Sequence, residues 1–264
     1  MVRFGVLLVM VATWLAASQA PVFAGAWTLP KGQSEIRVMS SFTYGDHGFD
    51  DNGKLISVPE YRKFELRGSF EYGLRSWLTL VAEADLREES VEQEVLPNFF
   101  QPEANSYGAI AGGARLQLFK APNWVLSGQL VGLSGGFASS GLKAPSDGPA
   151  IETRILAGYG TDIYGKRVFA DFQAAYRYRF QEKDSDEIKV DVTLGTRPRP
   201  RWMLLAQSFS TWETESDVSY HKVSGSVVRK VNDKMQIAVS GIATVAGRNA
   251  VRELGGSVGF WYTY

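Results

Sequence analysis

The sequence contains no cysteine among its 264 residues. This absence excludes disulfide bonds, thiolate metal sites and lipid attachment through an N-terminal cysteine. It is compatible with a chain that crosses an oxidising periplasm unfolded, where free thiols would form wrong crosslinks. A charge excess is also absent, because 28 basic residues balance 28 acidic residues. We therefore predict no nucleic-acid partner, since surfaces that bind nucleic acids carry an excess of positive charge.

Long hydrophobic runs are missing except near the N-terminus, where Arg3 precedes an apolar run over residues 4–17. The run is shorter than the roughly 18–20 residues that a membrane-spanning helix requires, so it favours a cleaved secretory signal peptide over an anchor. The small residues that follow fit cleavage after Ala24, with cleavage after Ala20 as the alternative. The predicted parts are therefore a signal peptide, residues 1–24, and a mature domain, residues 25–264.

Aromatic residues and glycine are abundant, with 15 Phe, 11 Tyr, 7 Trp and 27 Gly, a mixture that suits strands and tight turns. About twelve segments alternate apolar and polar residues with period two, which is typical of strands with one apolar face. In the second segment, Phe64, Leu66 and Phe70 share one face, and Glu65 and Arg67 share the other. The predicted strands lie approximately at 33–45, 61–73, 77–88, 106–119, 124–134, 150–160, 168–181, 187–196, 202–212, 219–231, 234–246 and 254–264.

Three features favour a membrane barrel over a soluble sandwich, whose strands also alternate. Short turns alternate with longer, polar connections, as in bacterial outer-membrane barrels. Aromatic residues lie at strand ends beside the short turns, where lipid meets water. The last segment, residues 258–264, alternates to the final residue and resembles the C-terminal signal by which barrels are recognised for insertion. The predicted interface aromatics are Trp77, Trp124, Trp202, Tyr262 and Tyr264.

These features predict an all-β fold, a closed antiparallel transmembrane β-barrel of about 12 strands in the cell outer membrane of a Gram-negative bacterium. Lipid offers no hydrogen-bond partners, so the first strand must pair with the last. The predicted partners are outer-membrane lipid, lipopolysaccharide and the barrel-assembly machinery. The sequence leaves the oligomeric state open.

Several turn and strand-end sequences resemble one group of outer-membrane barrels. They are Phe70-Glu71-Tyr72-Gly73-Leu74 before Trp77-Leu78-Thr79-Leu80, Gly158-Tyr159-Gly160-Thr161-Asp162, and Thr244-Val245-Ala246-Gly247-Arg248-Asn249 followed by Phe260-Trp261-Tyr262. Together they resemble the "MetA-pathway of phenol degradation" group over most of the mature chain. The resemblance implies a transport-like function with a poorly defined substrate, and it brings no catalytic or binding residues.

Charges of both signs fall on the face that a barrel turns toward its lumen. They either line a wet channel or pair across the lumen and nearly close it. About twelve strands give a bore between the filled eight-stranded barrel and the open porin. We therefore predict a narrow, passive channel for ions or small solutes, which requires no cofactor. The predicted pore-lining residues are Arg67, Glu83, Asp85, Arg115, Arg154, Asp171, Arg177 and Arg179.

Two other functions stay open at this point. A lipid hydrolase needs a serine beside His221, but the next residue on the same face of its strand is Val223, and Ser224 points away. We therefore predict no catalytic residue and no enzyme. A structural or adhesive barrel with a plugged lumen would act through its acidic loops. Separately, trimeric porins carry a long loop folded into the lumen, and the connection at 89–105 is a candidate for such a loop. The loops lack a calcium-binding motif, so we predict no metal site.

Overall fold

The computed structural model describes residues 25–96, 99–135, 137–138, 148–181 and 184–264, and the predicted signal peptide lies outside them. These residues form twelve long strands and two strands of two residues each. In chain order they are β1 (Ser34–Phe49), β2 (Leu55–Arg75), β3 (Leu78–Leu96), β4 (Phe99–Lys120), β5 (Trp124–Leu133), β6 (Phe137–Ala138), β7 (Ala150–Ile163), β8 (Lys166–Arg179), β9 (Glu187–Arg199), β10 (Trp202–Glu213), β11 (Ser219–Lys230), β12 (Met235–Arg248), β13 (Ala250–Val251) and β14 (Leu254–Thr263).

The sheet closes on itself. Each long strand pairs antiparallel with the next long strand, and β14 pairs with β1 from Glu35↔Thr263 to Tyr44↔Leu254. Pairing β14 with β1 satisfies the backbone N–H and C=O groups of both edge strands, for which lipid offers no hydrogen-bond partners. The predicted closed antiparallel barrel of twelve strands is confirmed. No helix in the described ranges is long and apolar enough to cross a membrane.

The strands of the first two hairpins are longer than the alternation predicts. Strand β2 begins at Leu55, β3 ends at Leu96 and β4 begins at Phe99. The prediction of a long connection at residues 89–105 is therefore wrong. The β3–β4 ladder continues there through the pairs Glu89↔Asn105 and Glu92↔Pro102. The ladder hydrogen bonds extend this segment as a hairpin, so it does not form a loop folded into the lumen.

Tight turns join the strands at the end of the barrel that carries both termini, which we call the periplasmic end. Tyr164 and Gly165 connect β7 to β8 directly after the pair Ile163↔Lys166, and both have positive φ, 50° and 71°. This two-residue turn matches the right-handed twist of its strands, and glycine adopts the second position without steric cost.

The barrel is apolar outside and charged inside. Outward-facing side chains such as Phe64, Ile155 and Val239 are 46%, 62% and 57% exposed. On the opposite face of the strands, Arg115 and Asp171 are buried, at 6% and 1% exposure. An apolar surface of this extent is unfavourable in water and favourable in hydrocarbon. The outer wall is therefore suited to lipid.

Candidate functional site

The candidate site is the barrel lumen. Strand pairing places the predicted pore-lining residues on the face of the sheet opposite the exposed apolar side chains. The alternation of side chains along a strand explains why one sequence pattern separates the two faces. The structure brings these residues into local clusters, and their role in selecting a solute stays a prediction.

One cluster spans the wall formed by β7, β8 and β9. Glu152 contacts Arg154, Arg177 and Lys189, with N–O distances of 2.8, 2.9 and 3.4 Å. Arg154 also binds Asp191 at 2.8 Å, and Glu187 contacts Arg177, Lys189 and Arg179. Charge-assisted hydrogen bonds of this kind fix the side chains against the wall. We call these residues the β7–β9 cluster.

A second cluster lies on β2 and β3. Arg67 contacts Glu65 at 2.7 Å and Asp85 at 3.8 Å, and Arg87 contacts Asp85 at 3.2 Å. The Arg67 side chain is 46% exposed, and Glu83 is also exposed. Since both face the lumen, this part of the interior is accessible to water.

A third cluster lies where β14 begins. The Glu253 carboxylate contacts the ammonium groups of Lys63 at 2.8 Å and Lys222 at 3.1 Å, and Thr43 donates a hydrogen bond to it at 2.9 Å. Burial raises the pKa of Glu253, but the two lysines outweigh burial and bring the pKa to about 2. The sequence does not single out Glu253 or Lys63, because Glu253 lies just before β14 and Lys63 lies inside β2, and only strand pairing brings them together.

The ion pairs named above join side chains on the same strand, on neighbouring strands or on strands two apart. The charges therefore pair along the wall. The sequence left open a second arrangement, in which the charges pair across the lumen. The ion pairs named above do not have that arrangement.

The N-terminal plug, residues 25–31, enters the lumen from the periplasmic end. Ala26 and Leu29 are completely buried there. The Ala26 amide donates to the Asp171 carboxylate at 2.8 Å, and its carbonyl accepts from the Ser127 hydroxyl at 2.6 Å. The Leu29 amide donates to Thr79 Oγ1 at 2.8 Å. Hydrogen bonds to three strands thus fix the plug against the inner wall.

Apolar packing completes the periplasmic half of the lumen. Ala26 and Trp27 pack with Val125 and Leu156. A Cβ at Gly158 would lie 2.5 Å from the Trp27 ring, so the indole requires glycine at that position. Elsewhere in the lumen, a buried cluster forms from Phe169, Met203, Val228 and Ala238, with Leu205 and Trp261 against it. The plug and these apolar side chains therefore fill part of the lumen at the periplasmic end, beside the charged Asp171 and Arg115.

The interface aromatics lie near the periplasmic end. Trp124 and Trp202 begin β5 and β10, and Trp77 directly precedes β3. The Trp124 ring packs on Tyr159, with centroids 4.7 Å apart, and Tyr262 packs on Tyr264 at 5.8 Å. These contacts agree with a girdle, although its depth in a membrane stays a prediction.

His221 has a serine neighbour that the sequence analysis missed. The direct partner of His221 across the β10–β11 pair is Ser210, and their Nδ1 and Oγ atoms are 2.9 Å apart. Both face outward, and the Trp212 ring lies edge-on to the imidazole at 5.1 Å. Searching along one strand misses a contact that forms between strands. No ion pair joins His221 to a carboxylate in the described ranges, so a complete triad is not present there.

No protein-family model matches the chain, and no curated protein is similar at a significant level. Solved structures do resemble it. The COG4313 outer membrane channel from Pseudomonas putida F1 is 15% identical, with a TM-score of 0.62 over 92% of this chain and 100% of that chain.

Two further structures have the same type of barrel. The NanC porin is 7% identical, with a TM-score of 0.53 over 86% of this chain and 98% of that chain. The transport unit of the autotransporter AIDA-I from Escherichia coli is 9% identical, with a TM-score of 0.53 over 96% of this chain and 97% of that chain. At these identities the likeness establishes the fold of an outer-membrane β-barrel and leaves the solute undetermined.

Proposed function

We propose that the protein is a narrow, passive outer-membrane channel for ions or small solutes, with no catalytic role. The observation that carries this proposal is the exposed, charged lumen wall around Arg67 and Glu83. The ion pairs of Arg67 with Glu65 and Asp85 run along that wall. Opposite charges facing a water-filled lumen select solutes by charge and size. Downhill diffusion then needs no cofactor or energy source. The plug narrows the exit and sets the limit on solute size.

A planar-bilayer recording tests the channel directly. We expect stepwise conductance from the purified mature protein. Arg67→Gln should shift the reversal potential in a salt gradient toward cation preference, and Glu83→Gln should shift it in the opposite direction. The two variants are matched controls for each other. A conductance no higher than that of bilayers without protein would remove the proposal.

We also infer that the chain reaches the outer membrane through a signal peptide over residues 1–24 and is inserted by the barrel-assembly machinery. The apolar outer wall and the strand β14, which closes the barrel at the chain end, support insertion into lipid and contact with lipopolysaccharide. N-terminal sequencing of the membrane-inserted protein tests the cleavage site. Membership of the "MetA-pathway of phenol degradation" group belongs to the same proposal, supported by the turn sequences and by the transport-like barrel fold.

The Ser210–His221 contact favours a second candidate function, hydrolysis of lipid esters at the outer rim. The hydroxyl is the nucleophile and the imidazole is the base in such a reaction. A fluorophosphonate probe would label Ser210 in the wild type and not in His221→Ala. We prefer the channel, because the described residues supply no carboxylate to orient the imidazole.

A further inference from the structure

Two arginines flank a tryptophan on the outer face of the barrel wall, near the periplasmic end. Trp202 on β10 is the direct partner of Arg199 on β9 and of Arg229 on β11, and direct partners share one face of a sheet. The register shift in the β9–β10 pair places Arg199, and not Pro198, opposite Trp202. Leu204, two residues along β10, is 43% exposed on the outer wall, so the indole and both arginines face outward with it. We call the three residues Arg199, Trp202 and Arg229 the arginine row.

The arginine row carries two positive charges, and no carboxylate in the described ranges forms an ion pair with either of them. The Arg229 guanidinium lies over the Trp202 indole, 5.4 Å from the ring centroid, and Arg199 is exposed. The acidic residue of the β11–β12 turn, Asp233, contacts Lys230 at 3.0 Å instead. A guanidinium at the boundary between lipid and water is stabilised by an anionic oxygen, and lipid phosphates supply such oxygens there.

An open groove in the outer wall lies beside the arginine row, on the side toward the middle of the membrane. Its volume is about 400 Å³. The short Ala170 side chain lies between its longer direct partners Tyr159 and Leu194, which leaves a depression in the wall. Ala206 also lines the groove, four residues along β10 from Trp202 and therefore ~13 Å from the arginine row. The groove thus extends from the row into the apolar part of the wall.

We propose that the arginine row and the groove together bind one anionic phospholipid of the periplasmic leaflet. Strands β9 and β11 are two strand spacings apart, ~10 Å, so Arg199 and Arg229 can converge on one phosphate. Their planar guanidinium groups donate paired hydrogen bonds to its oxygens, and an acyl chain of the same lipid lies in the groove. Trp202 then occupies the level between headgroup and acyl chain that suits an indole. The two uncompensated charges favour a headgroup with net negative charge over a zwitterionic one.

The test is native mass spectrometry of the detergent-purified mature protein, titrated with phosphatidylglycerol and, separately, with phosphatidylcholine of the same acyl chains. We expect one phosphatidylglycerol to bind about tenfold more tightly than phosphatidylcholine, the scale of one charge-assisted contact. The double variant Arg199→Gln, Arg229→Gln should lose this preference. Equal binding of the two lipids by the wild type would overturn the proposal.

A matched control removes two positive charges from the same end of the barrel, away from the groove. Arg75 and Lys120 are exposed and lie at the ends of β2 and β4. The double variant Arg75→Gln, Lys120→Gln should keep the wild-type preference for phosphatidylglycerol. An equal loss in both double variants would assign the preference to the overall positive charge of the periplasmic end and reject the site.

A second arm tests the groove with the arginines intact. Ala170→Leu fills the depression and should weaken phosphatidylglycerol binding by about fourfold, the effect of one buried methylene group that the lipid loses. Ala174→Leu is the control, because Ala174 lies four residues further along β8, faces outward beside Ile155 and does not line the groove. Unchanged binding by Ala170→Leu would reject the groove as the position of the acyl chain. The lipid site does not depend on conduction, so a barrel that binds the lipid without conducting would reject the channel and keep the site.

Discussion

Arg115 and Glu71 form a two-pronged ion pair inside the barrel, with Nη1–Oε2 and Nη2–Oε1 distances of 3.0 and 3.1 Å. Their side chains are only 7% and 9% exposed. The Arg115 Nη1 atom also donates to the Trp27 carbonyl at 3.2 Å. One guanidinium therefore joins the inner wall to the N-terminal plug.

Breaking this pair should destabilise the barrel. Arg115→Met removes the two hydrogen bonds that Arg115 gives to the buried Glu71 carboxylate, which costs about 3–5 kcal/mol of unfolding free energy. The double variant Arg115→Met, Glu71→Met should recover most of that loss, since two apolar groups replace two charges. Urea unfolding in lipid vesicles, followed by tryptophan fluorescence, measures both.

The control for this pair is Arg67→Gln. Arg67 is 46% exposed at its side chain, so its ion pair with Glu65 should contribute about 0–1 kcal/mol. If Arg67→Gln and Arg115→Met lost the same unfolding free energy, the conclusion that Arg115 stabilises the barrel together with the plug would be contradicted.

Removing the plug should widen the pore. A mature chain that lacks residues 25–30 loses the hydrogen bonds to Asp171, Ser127 and Thr79, and it exposes the lumen face of Val125. We expect larger single-channel conductance and passage of larger solutes in liposome-swelling assays. Deletion of the exposed outer turn, residues 51–53, is the control and should leave conductance unchanged. An unaltered conductance in the plug deletion would show that another constriction limits flow.

The strands are predictable from sequence because period-two alternation follows directly from strand geometry. Each of the twelve predicted segments became one long strand of the barrel. The segment at 202–212 is ambiguous in sequence because both of its faces are apolar: Met203 packs in the lumen while Trp202 and Leu204 face outward.

The plug is not predictable in the same way. Its residues carry no alternation, and their partners are distant in the chain. Ala26 binds Asp171 and Ser127, which are 145 and 101 positions away, and Leu29 binds Thr79, 50 positions away. In the sequence, Val125 and Leu156 look like apolar exceptions on a polar lumen face. Their packing against the plug explains why they are apolar. The Ser210–His221 contact was missed for a related reason, because it depends on strand register.

Gly158 gives a steric test of the plug. Gly158→Ala places a methyl group 2.5 Å from the Trp27 ring, so the indole must leave its position. We expect higher conductance and a loss of about 1–3 kcal/mol of stability from overpacking. Adding Trp27→Ala should reduce the stability penalty and leave the part that comes from Val125, whose Cγ1 lies 2.8 Å from the added methyl group. Gly225→Ala, where a Cβ meets nothing within 4 Å, is the control and should behave as the wild type.

The Glu253 cluster should make the outer end of the barrel sensitive to acid. The folded-state pKa of about 2 lies below the ordinary value of 4.5, so the carboxylate stabilises the folded state above about pH 4.5. That contribution, on the order of 3 kcal/mol, is lost as the pH falls from 4.5 through 2. Glu253→Gln should lower stability at neutral pH and flatten its decline over this window. Asp233→Asn, at a completely exposed side chain, should keep the wild-type profile. A Glu253→Gln profile parallel to that of the wild type between pH 5 and pH 2 would mean that the two lysines do not stabilise the ionised carboxylate.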